Sequence, residues 1–123
     1  MKILIAEDES LLLKLLVDKF QRESYEVTGC QNGLEAIDLY DEKQPDIVIT
    51  DLQMPYSGGY ELIFHIRKER KSNTPIIVLS STSVEDKIVA SLELGANDFV
   101  EKPFRFNELI IRVRRLLAAA SHQ

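Results

Sequence analysis

Apolar residues along this chain fall into two patterns that alternate from one end to the other. The first is a short continuous run, seen at Ile3-Leu4-Ile5-Ala6, Ile47-Val48-Ile49 and Ile76-Ile77-Val78-Leu79. Such runs suit strands covered on both faces. The second is helical spacing. Leu12, Leu13, Leu16, Val17 and Phe20 share one face behind Ser10, a predicted N-cap. Ala36, Ile37 and Tyr40 predict a short helix to about Glu42, entered by an Asn32-Gly33 turn and stopped by Pro45. Leu62, Ile63 and Ile66 mark a third helix. Val84, Ile88 and Leu92 mark a fourth, closed by Gly95, and Leu109, Ile110, Val113, Leu116 and Leu117 a last one. Two weaker strand signals remain. Tyr25 to Cys30 alternates as an edge strand does, and Asp98 to Glu101 is a short strand broken by Lys102-Pro103.

Strict strand-helix alternation predicts an α/β fold with a mainly parallel sheet and helices on both faces. By analogy with doubly wound domains of this size, the expected architecture is flavodoxin-like. It has five strands in the order 2-1-3-4-5 and five helices.

The chain's 123 residues make one domain, with 45% hydrophobic and 28% charged residues. We assign residues 1–120 to it and 121–123 to a tail or the start of a linker. Cys30, the only cysteine, cannot form an internal disulfide. A net charge of -5 excludes a strongly basic nucleic-acid footprint, so direct nucleic-acid binding by this chain is not expected. The apolar runs are too short to cross a membrane. The start, Met1-Lys2 followed by a strand-like run and then acids, does not read as a signal peptide. The expected location is cytoplasmic.

In open α/β sheets, ligands bind beyond the carboxyl ends of the strands. There the sequence places Glu7, Asp8 and Glu9 after the first strand, Asp51 after the third, Ser80 and Ser81 after the fourth, and Lys102 after the fifth. If strands one and three are neighbours, Glu7, Asp8 and Asp51 converge. Three close carboxylates repel unless one is protonated or a cation joins them. An oxygen-only donor set at an open crevice suits Mg²⁺. With a lysine and a hydroxyl nearby, the set suits phosphoryl transfer, with Asp51 placed to act as nucleophile.

These motifs resemble the receiver domain of bacterial two-component response regulators. The likeness runs from Lys2 to about Leu117. It is carried by Glu7-Asp8, Asp51 with Met54-Pro55 and Gly59, Pro75 to Ser80, Gly95 to Phe99, and Lys102-Pro103-Phe104. The resemblance implies that Asp51 accepts a phosphoryl group from a sensor histidine kinase or a histidine phosphotransfer protein. It implies that Asp8, Asp51 and the backbone carbonyl of Gln53 bind Mg²⁺, with Glu7 acting mainly through water. Lys102 would pair with the phosphoryl oxygens, Ser80 would hydrogen-bond them and shift on activation, and Phe99 would be the rotating switch aromatic. Gln53 and Thr82 stand where the family tunes acyl-phosphate lifetime, and the Lys102-Pro103 bond is expected to be cis. The chain departs from frequent family choices at Glu7 (for Asp), Ser80 (for Thr) and Phe99 (for Tyr).

A second likeness, to the winged-helix class of regulators, implies phosphorylation-favoured homodimerisation through the fourth helix, fifth strand and fifth helix. Lys87, Asp98, Glu108 and Arg112 are its expected contacts. The implied function is a phosphorylation-activated switch that controls dimerisation or a partner such as a transcriptional output. It would catalyse only its own phosphoryl transfer and autodephosphorylation. The alternative is a stand-alone receiver serving as a phosphorelay intermediate or a partner-binding module. A Mg²⁺-dependent phosphatase of the haloacid-dehalogenase type is disfavoured by Gln53, where that family wants a second Asp. A flavodoxin is disfavoured by acids where a phosphate loop would lie. Outside the site, Glu9 reads as an exposed acid at a helix start, Cys30 as a small buried hydrophobe, His65 as an ordinary exposed residue and His122 as part of a frayed tail.

Overall fold

A computed structural model describes residues 1–81 and 85–121. Five strands, β1 (Lys2–Ala6), β2 (Glu26–Cys30), β3 (Ile47–Asp51), β4 (Ile76–Ser80) and β5 (Asp98–Glu101), form one sheet in the order β2-β1-β3-β4-β5. Every pairing is parallel, with Ile3 opposite Ile47 and Val78 opposite Phe99. The helices among the described residues are α1 (Ser10–Arg22), α2 (Gly33–Lys43), α3 (Gly59–Phe64), α4 (Glu85–Leu94) and α5 (Phe106–Ser121). α3 runs on into a π-helical turn over His65–Glu69.

The continuous apolar runs are explained by the two-residue period of a strand. Ile3, Ile5, Ile47, Ile49, Ile77 and Leu79 point to one face, where Leu16 and Phe20 of α1 and Leu109, Val113 and Leu117 of α5 cover them. Leu4, Ala6, Val48, Ile76 and Val78 point to the other, under Ala36 and Tyr40 of α2 and Leu62, Ile63 and Ile66 of α3 and its extension. In β3 and β4, buried on both sides, polar residues come only at the carboxyl ends, at Thr50, Asp51 and Ser80. Both edge strands keep polar residues, which is why their sequence signal is weaker.

Local chemistry sets the element ends. Asn32 caps α2, its side-chain oxygen accepting from the Glu35 amide at 2.8 Å, so the predicted turn is a helix start. Ser10 is not a cap. It is the first helical residue, and Glu9 precedes it with no side-chain cap bond. Gly95 closes α4 at φ 131°, a conformation that disfavours any side chain. The Gly95 and Ala96 amides both donate to the Ser91 carbonyl. Asn97 then fixes the start of β4, its side-chain oxygen accepting from the Ile76 amide and from Arg67, each at 2.8 Å.

Candidate phosphoryl-transfer site

The carboxyl ends of β1, β3, β4 and β5 open into a cleft of about 530 Å³ lined by Glu7, Asp8, Glu9, Asp51, Gln53, Ser80, Ser81, Lys87 and Lys102. Parallel pairing brings them together. Ala6 stands opposite Thr50, so the residues after β1 meet the end of β3. The Lys102 amide donates to the Ser80 carbonyl at 2.8 Å, tying the exit of β5 to that of β4.

The Lys102 ammonium is the centre of the arrangement. It donates to Glu7 Oε1 at 2.6 Å and to Asp51 Oδ2 at 3.0 Å. Glu7 is fully buried and Asp51 is 8% exposed, whereas Asp8 is open to solvent. The second Glu7 oxygen accepts from the Glu9 amide at 3.0 Å, so both oxygens of that carboxylate are occupied within the chain. Carboxylate oxygens of Glu7, Asp8 and Asp51 all lie within 4.8 Å of one another. Burial pushes the Glu7 carboxyl above the usual carboxylate range, against the pull of Lys102. At Lys102 burial works against the charge, but the hydrogen bonds to Glu7 and Asp51 outweigh it and hold the ammonium above the usual lysine range.

The segment after Asp51 is built to lie close. The Gly59 amide donates to the Leu52 carbonyl at 2.8 Å, and Glu61 returns to accept from the Gly58 amide at 2.9 Å. A Cβ on Gly59 would stand 2.2 Å from the Asp51 carbonyl oxygen. Only glycine lets α3 begin against the end of β3, and this is the physical basis for the glycine in the Asp51 motif. The Lys102-Pro103 bond is cis, as expected.

A family model for the response regulator receiver domain matches residues 3–114. The chain belongs to this family. Receiver domains are phosphorylation-activated modules of two-component signalling, phosphorylated by histidine kinases or phosphotransfer proteins, and bind Mg²⁺ at the active site. Solved receiver domains are similar over nearly their whole length. That of the Francisella response regulator 1452 is 32% identical with a TM-score of 0.89, the match covering 97% of this chain and 98% of that one. The BeF3-activated N-terminal receiver domain of Klebsiella pneumoniae RstA is 26% identical with a TM-score of 0.88, covering 95% and 98%. The receiver domain of sensor histidine kinase PA1611 from Pseudomonas aeruginosa, solved with magnesium coordinated in its active-site cleft, is 26% identical with a TM-score of 0.85, covering 95% and 97%.

Within this receiver domain, the structure brings Glu7, Asp8, Asp51, Gln53, Ser80 and Lys102 to one cleft. Thr82 lies outside the described residues. Phe99 is half-buried and packs against the α2–α3 side of the core. Asp98, Glu108 and Arg112 meet on a separate groove, where Arg112 donates to Asp98 at 2.6 Å and to Glu108 at 2.9 Å. Lys87 does not line that groove; it lines the phosphoryl-transfer cleft. Sequence reasoning placed it by motif likeness, and the signal that finds it is spatial, since the first turn of α4 opens beside the end of β4.

His65 is the clearest correction. It is not an exposed surface residue but 6% exposed. Its Nε2 lies 2.8 Å from Asp41 Oδ1 and its Nδ1 2.9 Å from Glu69 Oε1. Helical spacing showed a polar residue between two apolar ones. It could not show that α2 would bring a carboxylate to meet it.

Proposed function

We propose that this receiver domain is a switch that takes a phosphoryl group on Asp51. The observation that carries the reading is the Lys102 ammonium bridging Glu7 and Asp51 in a cleft shared with Asp8, Gln53 and Ser80. Asp51 Oδ attacks phosphorus, a new O–P bond forms, and the bond to the donor's histidine nitrogen breaks, its electron pair staying on the imidazole. Lys102 turns from the Asp51 carboxylate to the phosphoryl oxygens while Glu7 keeps it in place. Ser80, on the neighbouring strand, supplies a hydroxyl. An oxygen-only donor set with one solvent-open carboxylate, Asp8, fits Mg²⁺. Asp8, Asp51 and the Gln53 carbonyl would hold the ion, and Glu7, already engaged at both oxygens, acts through water. When bound, the ion neutralises charge on the transferring group. The chain turns over no separate substrate in this reading, only its own phosphorylation and dephosphorylation.

The output surface we assign is the α4–β5–α5 face. Val89 and Leu92 are exposed on α4 and Ile111 on α5, Ile111 lining the groove of the Asp98-Arg112-Glu108 network, which gives the face apolar area together with paired charge. Phosphorylation then favours a homodimer or a protein effector, with Ser80 and Phe99 relaying the change. No helix among the described residues is long and apolar enough to cross a membrane.

Incubation with acetyl phosphate and Mg²⁺, read by intact mass, tests the site. One phosphoryl adduct that disappears in Asp51→Asn is expected; no adduct, or one that survives this change, refutes it. Sedimentation with and without a beryllofluoride phosphate mimic tests the output face, and a monomer at high concentration in both states overturns the dimer.

A further inference from the structure

We propose that Lys87 is a donor-binding residue of this cleft, a second cation that meets the anionic phosphoryl donor before transfer. The inference rests on the Asp51 reading above and adds a residue to it.

Three observations carry it. First, Lys87 lines the cleft together with Asp51, Ser80 and Lys102, and among the described residues its ammonium enters no ion pair. The neighbouring acids on α4, Glu85 and Asp86, are not part of the lining. Second, the backbone from which Lys87 emerges is tied to the reaction centre. The Tyr60 hydroxyl donates to the Lys87 carbonyl at 3.1 Å. Tyr60 follows Gly59, whose missing side chain lets α3 seat directly on the Asp51 carbonyl. Asp51, the start of α3 and the first turn of α4 are thus one connected unit.

Third, the charge balance of the lining requires a further cation. Glu7, Asp8, Glu9 and Asp51 bring four carboxylates and Lys102 one ammonium, which is already bound by two of the carboxylates. Even with a divalent ion added, that set stays net negative, whereas an acyl phosphate or phosphohistidine donor brings up to about two more negative charges. Lys87 brings the cleft with its divalent ion to neutrality before the donor enters, so the donor's charge meets no net negative field. An exposed ammonium at the rim, as Lys87 is, raises the local concentration of an anionic donor and steers it inward, an effect that salt screens.

The test is the rate of Asp51 phosphorylation by acetyl phosphate with Mg²⁺, measured over a range of donor concentrations at low and high salt for wild type, Lys87→Gln and Lys87→Arg. In the reaction, Asp51 Oδ forms the new bond to phosphorus and acetate leaves with the electron pair of the broken P–O bond. For Lys87→Gln we expect the half-saturating donor concentration to rise about fivefold at low salt. The limiting rate should be nearly unchanged, and the gap should close at high salt. Lys87→Arg should behave as wild type. Lys87→Gln indistinguishable from wild type in half-saturation and salt dependence overturns this proposal alone. A wild type that is never modified at Asp51 overturns the underlying reading, and this one with it.

Discussion

Replacing His65 by Gln should destabilise the domain in a pH-dependent way. Both ring nitrogens of His65 face carboxylate oxygens, Asp41 at 2.8 Å and Glu69 at 2.9 Å. A neutral imidazole has one N–H, so one of those contacts would set a lone pair against an anion. Only the imidazolium satisfies both. Burial opposes the charge, but the two carboxylates outweigh it and raise the His65 pKa above its usual 6.5. Asp41 is itself held down at about 2, first by its hydrogen bonds to Arg70 at 2.9 Å and then by His65. A charge-assisted hydrogen bond contributes about 1.5–3 kcal/mol. The Glu69 side chain is 57% exposed, so its contact adds roughly 0.5 kcal/mol. Gln can still offer Asp41 a neutral hydrogen bond, so the expected loss is about 2 kcal/mol near pH 6.

The sign follows from the raised pKa. The contribution is fully present below the unfolded value near 6.5 and is lost as pH rises through the folded one. At the acid end Asp41 stays ionised to about pH 2. Denaturant unfolding of wild type and His65→Gln from roughly pH 5.5 to 9 should therefore show a gap that narrows to under about 1 kcal/mol at the alkaline end. Proton NMR should give an imidazole midpoint above 6.5 for His65. A gap independent of pH, or a midpoint at or below 6.5, would refute the reasoning.

Other perturbations test other parts of the fold. Gly59→Ala places a methyl 2.2 Å from the Asp51 carbonyl oxygen and should cost about 1–3 kcal/mol in denaturant unfolding while slowing Asp51 phosphorylation; a wild-type midpoint would count against the close approach. Mg²⁺ should relieve repulsion among Glu7, Asp8 and Asp51, raising stability by about 1.4 kcal/mol at tenfold its dissociation constant. That corresponds to a few degrees in Tm, which chelation reverses and Asp8→Asn diminishes. Asn97→Ala removes the acceptor shared by the Ile76 amide and Arg67 and should cost about 1–3 kcal/mol; a change below about 0.5 kcal/mol would show that water replaces it. Cys30, buried and with its thiol pushed up to about 12 by that burial, should resist alkylation at neutral pH in the native state, and rapid native-state labelling would contradict its placement.

Sequence alone determined the alternation of strands and helices, the strands buried on both faces, and the acids, serine and lysine that follow the strands. These are local properties. A two-residue or 3.6-residue period is written in neighbouring side chains, and a residue just past a strand has little choice about which edge of the sheet it occupies. Three matters were decided only by tertiary structure. Glu7 became the buried anchor of Lys102, a pairing across 95 positions of chain. Lys87 came to the cleft because the start of α4 is held by Tyr60 from α3. His65 was drawn inside because α2 and the π-helical turn close on it with a carboxylate from each side. A charged side chain carries no sequence mark of its eventual partner. Whether it is solvated or buried depends on which opposite charge the packing of other elements brings within hydrogen-bond distance.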